Sequence, residues 1–495
     1  MKTIKQLLIT LLIIIFPYSN MLAKADTIRL TLEEAVILAQ LQSVDAAVAM
    51  NRLKTSYWEY RTHQADQLPE VKFTGTLPAY NNNFGRYQQS DGSYTYVQNN
   101  WMSLNGKMSI NQNVALTGGT ISLVSSLDFT RQFGKGAYNE YMSIPFGISL
   151  VQPVFGVNNQ KWMRRIAPVR YREAQAMYVE NTEEVTLNAI AFFFSLLHAR
   201  ENLSIALQNS ENADKLHQVA LAKRQIGYIS ESELMQLELS ALQAKGIVTE
   251  AVSNLNANMF RLRSFLALDE DMVIEPVEPP AAPALRITYA DVLEKAQANN
   301  SFAQQIRRRQ LEADYEVATA KGNLRSINLF ATVGYTGKDH NMPSAYDHLR
   351  GNQMVEVGVN IPLLDWGKRK GKVKVAESNR EVIISKIHQD QMTFNQDVFL
   401  LVENFNDQAA QIEIASQADL IAEKRYHTTI ETFMIGKISV LDLNDARKSK
   451  DEAKLKHIDE LYKYWKYFYN IRSVTLYDFL TNNNLDAEFE EIVKR

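Results

Sequence analysis

Gly227-Tyr228-Ile229-Ser230, followed by Leu234, returns in the second half of the chain as Gly436-Lys437-Ile438-Ser439, followed by Leu443. Glycine permits the left-handed backbone that ends a helix, and serine caps the next one. Each stretch therefore reads as the turn of a helical hairpin. The offset between them is 209 residues, and the same 209 carries Ile148-Ser149-Leu150-Val151-Gln152-Pro153-Val154-Phe155 onto Val357-Gly358-Val359-Asn360-Ile361-Pro362-Leu363-Leu364. Further upstream, Thr31-Leu32-Glu33-Glu34-Ala35-Val36 matches Thr288-Tyr289-Ala290-Asp291-Val292-Leu293 at an offset of 257. Separate motifs sharing one offset mark a tandem repeat. The change of offset makes the first copy longer by 48 residues, all between its first helix and the Pro153 strand.

Working outward gives residues 26–274 as the first repeat, 275–286 as a proline-rich linker and 287–480 as the second repeat, with a charged tail at 481–495. Four of the twelve prolines fall within residues 275–283, which makes that connector extended and semi-rigid. Elsewhere the helix breakers are sparse. From Lys372 to Arg495 there is no proline and one glycine, Gly436, and from Lys161 to Ala267 there are only Pro168, Gly227 and Gly246. Periodic patterns this long mean coiled coils or helical arrays. Leu234, Leu237, Ala241, Ala244, Val248, Ala251, Leu255, Asn258, Leu262 and Phe265 keep a strict 3-4 spacing, the seam of a left-handed coiled coil.

The strand regions alternate instead. Ile144, Phe146, Ile148 and Leu150 interleave with Pro145, Gly147 and Ser149, and Val355, Val357, Val359 and Ile361 with Glu356, Gly358 and Asn360. One apolar and one polar face fits either a half-buried sheet or a lipid-facing barrel wall. At the N-terminus, Lys2 and Lys5 precede the apolar run Leu7–Phe16, and Ala23-Lys24-Ala25 follows. Residues 1–25 thus read as a secretory signal peptide. After it no apolar stretch is expected to span a bilayer as a helix, so membrane insertion would use closed β-strands.

A net charge of −3 supplies no basic footprint for nucleic acid. The basic run Gly367-Lys368-Arg369-Lys370-Gly371-Lys372 sits at a strand-to-helix junction, facing headgroups or water. There is no cysteine, and the eight histidines lack the spacing of a metal site. With no phosphate loop and no nucleophile elbow either, the sequence argues for no cofactor, metal or catalytic residue.

The signal peptide, tandem repeat, proline-rich linker, Pro-x-Phe/Leu strand ends and Gly-x-x-Ser turns together resemble the TolC-type outer-membrane factors, across essentially the whole mature chain. That resemblance implies a mainly α fold with a membrane β-barrel portion, built as a homotrimer in the outer membrane and extending into the periplasm. It implies passive conduction for efflux or type I secretion, with a periplasmic adaptor and an inner-membrane pump as partners. The turns Gly227, Tyr228, Ile229, Ser230, Gly436, Lys437, Ile438 and Ser439 become adaptor contacts. Asp442 and Asp445, on one helix face, line the periplasmic entrance, with Glu231 and Glu233 as further entrance charge. The family's best-known member has an arginine where Ile438 stands, so no gate-locking salt bridge is expected at that place. Four strands per chain are usual in the family. The extra runs Leu104–Val114 and Thr120–Phe133 either raise that to six or form a hairpin outside the wall. A periplasmic coiled-coil adaptor or scaffold is the alternative, although such proteins normally carry one hairpin rather than two.

Overall fold

The computed structural model describes residues 27–134, 136–225, 227–280, 285–324, 326–360, 364–435, 437–485, 487 and 489–494. The expected signal peptide, part of the linker and Gly436 lie outside the described residues. In chain order the first repeat comprises β1 (Thr27–Leu30), α1 (Leu32–Gln42), α2 (Val44–Ala65), β2 (Glu70–Gln88), β3 (Tyr94–Val114), β4 (Gly119–Gln132), β5 (Tyr138–Pro153), α3 (Asn159–Gln225) and α4 (Glu231–Phe265). Then come β6 (Val273–Pro276), α5 (Tyr289–Asn299), α6 (Ser301–Gly322), β7 (Ser326–Asp339), α7 (Ser344–Asp347), β8 (Leu349–Asn360), α8 (Lys368–Met434) and α9 (Val440–Thr475). The chain closes with β9 (Tyr477–Asp478), β10 (Asn483–Asn484) and α10 (Phe489–Lys494).

The long helices come in matched pairs. α1 and α5 have 11 residues each, α2 and α6 have 22, α3 and α8 have 67, and α4 and α9 have 35 and 36. At 1.5 Å per residue the 67-residue helices are roughly 100 Å long. Their starts follow local chemistry. Thr31 caps α1 through Glu34 N at 3.3 Å, and Thr288 caps α5 through Asp291 N at 3.2 Å.

The chain divides into two compact units. One takes the described residues of Met1–Val48, Asn181–Ile287 and Leu401–Ser473. Its core gathers Leu30, Ala35, Ile190, Phe193, Leu262 and Leu461, each almost fully buried. Such side chains stabilise by about 1.5–3 kcal/mol apiece for the large ones. β1 and β6 form a parallel pair beside this core, from Thr27 opposite Val273 to Leu30 opposite Pro276. The first two linker residues, Glu275 and Pro276, are therefore strand. The heptad seam of α4 is its covered face: Leu237, Ala241, Ala244, Ala251, Asn258 and Leu262 are buried. One expectation is corrected here. α3 does contain a stretch long and apolar enough to cross a membrane. Within this unit, Ile190, Phe193, Leu196 and Leu197 of the same helix belong to the core.

The second unit takes Ala49–Glu180, Thr288–Leu400 and Val474–Arg495. Its helical segments are laced by ion pairs: Arg308 meets Glu173 at 2.6 Å and Glu312 at 2.8 Å, and Arg309 meets Asp390 at 2.7 Å. The boundary drawn at residue 480 falls inside a small hairpin, since β9 pairs with β10.

This unit also holds one antiparallel six-stranded sheet in the order β2-β3-β4-β5-β7-β8. The strands of this sheet lie side by side in chain order, with the long excursion between β5 and β7 returning to the same sheet, and the outermost strands are β2 and β8. Its faces differ sharply. Val71, Ile110, Leu123, Ile148 and Val333 lie side by side in one lateral row, and all are exposed. The adjacent row, Glu70, Asn111, Ser122, Ser149 and Thr332, points to the opposite face. Two bulges interrupt the register, at Thr76/Ala79 and at Ser143/Phe146. Each contains a proline, Pro78 or Pro145, which has no N–H for the ladder. The second bulge corrects the alternation read for β5. Ile144 pairs with Ser126 and joins the polar face, opposite to Phe146, Ile148 and Leu150.

Candidate functional site

The two helical turns lie in the first unit and are built alike. α3 ends as Tyr228 N donates to Lys223 O at 2.9 Å, and Gly227 adopts φ +77°, which a side chain would resist. Ser230 then caps α4: Glu233 N donates to Ser230 Oγ at 3.2 Å, and Ser230 N donates to Glu233 Oε2 at 2.8 Å. At the other turn Lys437 N donates to Thr432 O at 3.2 Å. Ser439 caps α9 by the same reciprocal bonds with Asp442, at 3.2 and 3.1 Å. An acid three residues after the capping serine thus completes a capping box in both repeats.

Inside the turns, Ile229 and Ile438 pack against a shared cluster of Ala220, Leu237, Tyr426, Phe433, Val440 and Leu443. Tyr228 and Lys437 point outward instead, Tyr228 being 80% exposed. Ile435 and Leu441 are exposed beside them. The two turns therefore present one surface of backbone, aromatic and aliphatic groups over a common apolar base. Lys223 joins them. Its Nζ donates to Phe433 O and Met434 O, each at 3.2 Å, satisfying carbonyls at the end of α8.

Each expected entrance acid has a local partner. Asp442 and Glu233 are consumed in the capping boxes, whose hydrogen bonds from Ser439 and Ser230 hold both carboxyls below their ordinary values. Asp445 meets Arg425 at 2.6 Å and Glu231 meets Arg224 at 3.7 Å, all four side chains being largely exposed. Such surface pairs contribute little stability, at most about 1 kcal/mol. Asp442 and Asp445 remain on the solvent side of α9, one turn apart. Lys223 and Arg425 were not singled out from the sequence. A basic pair in the last turn of α3, Lys223 and Arg224, was the available signal for the first. Nothing local marks Arg425, which sits mid-helix 20 residues before its partner.

The capping carboxylate of Asp442 gives a pH dependence with a definite sign. A carboxyl depressed in the folded state stabilises above its unfolded value, ordinarily 3.8, and loses that contribution as pH falls through the folded value. Amide exchange around residues 439–443 should therefore be faster in Asp442→Ala than in the parent near pH 6, and the gap should close near pH 2. A gap that persists in acid would show that the carboxylate is not its cause.

Residues 292–475 match the family model described as outer membrane efflux protein. No curated protein matches the chain. Among solved structures, the outer membrane channel CmeC of Campylobacter jejuni superposes with a TM-score of 0.63 at 15% identity, over 94% of this chain and 88% of that one. The outer membrane protein VceC of Vibrio cholerae gives 0.60 at 13%, over 90% and 95%. The open state of the MtrE outer membrane channel of Neisseria gonorrhoeae gives 0.57 at 13%, over 90% and 88%. The resemblance drawn from the sequence is borne out, and the fold is shared with solved outer membrane channels.

Proposed function

We propose that three copies of this chain form an outer-membrane conduit of a tripartite efflux or type I secretion system, passing substrates from a pump and adaptor across the periplasm and outer membrane. The observation that carries the reading is the sheet whose apolar face is open to solvent while its other face is polar, the arrangement of a lipid-embedded barrel wall. Leu116, Phe155, Leu364 and Trp366 are exposed near the ends of that sheet, beside the basic run from Lys368. Aromatic and basic groups so mixed suit the headgroup level of a bilayer. The turn surface around Tyr228 and Lys437 is the proposed adaptor contact. A coiled-coil adaptor or scaffold would leave the apolar face of the sheet without an occupant.

The test is planar-bilayer conductance of the detergent-extracted protein, with its oligomeric mass measured alongside. A trimer carrying small, cation-selective currents supports the reading. A soluble monomer that never inserts overturns it. In the proposed trimer, Asp442 and Asp445 make two rings of carboxylates at the periplasmic entrance. Asp442→Ala combined with Asp445→Ala is expected to weaken cation preference while leaving the trimer intact. Unchanged reversal potentials in a salt gradient would remove these residues from the entrance.

A further inference from the structure

The extra residues of the first repeat fix how many strands each copy brings to the wall. The first repeat contributes β2, β3, β4 and β5, and the second contributes β7 and β8. All six are hydrogen-bonded laterally into one sheet with no gap. The apolar row crosses from Val71 in β2 through Ile110, Leu123 and Ile148 to Val333 in β7, so the added strands face the same solvent as the rest. A hairpin folded outside a barrel would not share that row.

The added turn between β3 and β4 is also stitched down. Gln112 Nε2 donates to Gln67 O at 2.9 Å, and Asn113 Nδ2 to Asp66 O at 3.1 Å. Gln152 Nε2 donates to Thr117 O, and Asn158 Nδ2 to Ala115 O, both at 2.9 Å. Four side-chain amides thus seat this turn against the segments that enter β2 and leave β5. Gly118, at φ +77°, packs so closely on Asn158 that a Cβ there would come within 3.0 Å of its Cγ.

Two edges remain. β2 and β8 each have a neighbour on one side only. In lipid an unpaired strand edge is not tolerated, because every backbone N–H and C=O must find a partner. Six strands fall short of the smallest membrane barrels, which need about eight. The chain therefore cannot close alone. β2 leaves the helical end of the sheet and β8 returns to it, so β8 of one copy runs antiparallel to β2 of the next. That is a head-to-tail contact of the kind that closes rings.

We propose that β8 of each copy pairs with β2 of its neighbour, so that the trimer of the preceding reading encloses a barrel of eighteen strands, six per copy, with β3 and β4 in the wall. Barrel diameter grows roughly linearly with strand number, so this wall is about 1.5-fold wider than one built from four strands per chain. The proposal rests on the conduit reading for the number of copies, and on the sheet alone for the pairing.

Electron cryomicroscopy of the detergent-extracted oligomer counts the strands directly. Eighteen wall strands with β8 beside a neighbour's β2 is the expected result. A trimer with twelve wall strands and one hairpin of each copy outside the wall overturns the proposal and leaves the conduit reading standing. A soluble monomer overturns both. The chain has no cysteine, so introduced thiols give an independent readout. Cysteines at Thr74 or Thr76 combined with cysteines at Met354 or Glu356 should yield covalent oligomers on non-reducing gels. Those at Ser126 or Asp128 combined with the same β8 positions should not. Oligomers from the second set alone would place β4, not β2, at the copy boundary.

Discussion

Arg472→Leu is expected to destabilise the folded chain by about 3–5 kcal/mol, the usual cost of removing one partner from a buried ion pair. Arg472 in α9 reaches Glu183 in α3 at 3.1 Å, and their side chains are only 16% and 4% exposed. The guanidinium also lies over the Tyr469 ring, 4.8 Å from its centre. Leucine keeps some of the packing volume but removes the guanidinium from the Glu183 carboxylate, whose side chain is only 4% exposed. The double variant Glu183→Leu with Arg472→Leu should recover most of the loss, because two apolar groups need no desolvation. Thermal unfolding of the two variants in detergent checks this. If the double variant is no more stable than Arg472→Leu, the loss comes from packing rather than from the broken ion pair.

The second large effect is expected at Gly334 in β7. It pairs with Gly147 in β5, and a Cβ there would come within 2.6 Å of Phe146 O and 2.7 Å of Gly147 Cα. Both obstacles are backbone, so neither can turn aside as a long side chain would. Gly334→Val should cost on the order of 3 kcal/mol or more and part the strands contributed by the two repeats. Loss of heat-resistant oligomer on gels is the readout. Gly351→Val in β8 is the control, since nothing lies within 4 Å of its Cβ position. Equal damage from both variants would mean that strand propensity or export, not the close approach of β5 and β7, sets the outcome.

Much of this architecture was legible because it depends on local rules that repeat. Glycine and serine at fixed spacing announced the two turns, the 3-4 spacing of α4 announced its covered face, and period-2 alternation announced the strands. Residues that act through distant partners were not legible. Lys223 caps α8 from 210 residues away, and the basic pair at the end of α3 marks a helix terminus without naming the distant helix it serves. The acids proposed for the entrance were singled out by type and position, yet their sequence signal is shared with helix capping, which Asp442 and Glu233 visibly perform. Ile144 was misread because alternation assumes an unbroken pleat, and the Pro145 bulge shifts it to the other face. The apolar stretch of α3 shows the same ambiguity at larger scale, since a buried core and a bilayer select the same side chains. Whether the added strands join the wall depends on lateral pairing, and alternation along one strand carries no information about its neighbours.

The parallel pairing of β1 with β6 has a consequence for the order of assembly. Arg29 and Glu275, paired across those strands, are separated by 246 positions, whereas the chain is made from its first residue onward. Leu30, almost fully buried in the finished protein, must wait through the whole first repeat for Ile274 to emerge. Bringing ends so far apart together costs roughly 5 kcal/mol of chain entropy, so the clasp closes only after the intervening helices have shortened the distance. This early segment is thus among the last to settle, and until then it offers a bare apolar strand to whatever escorts the chain.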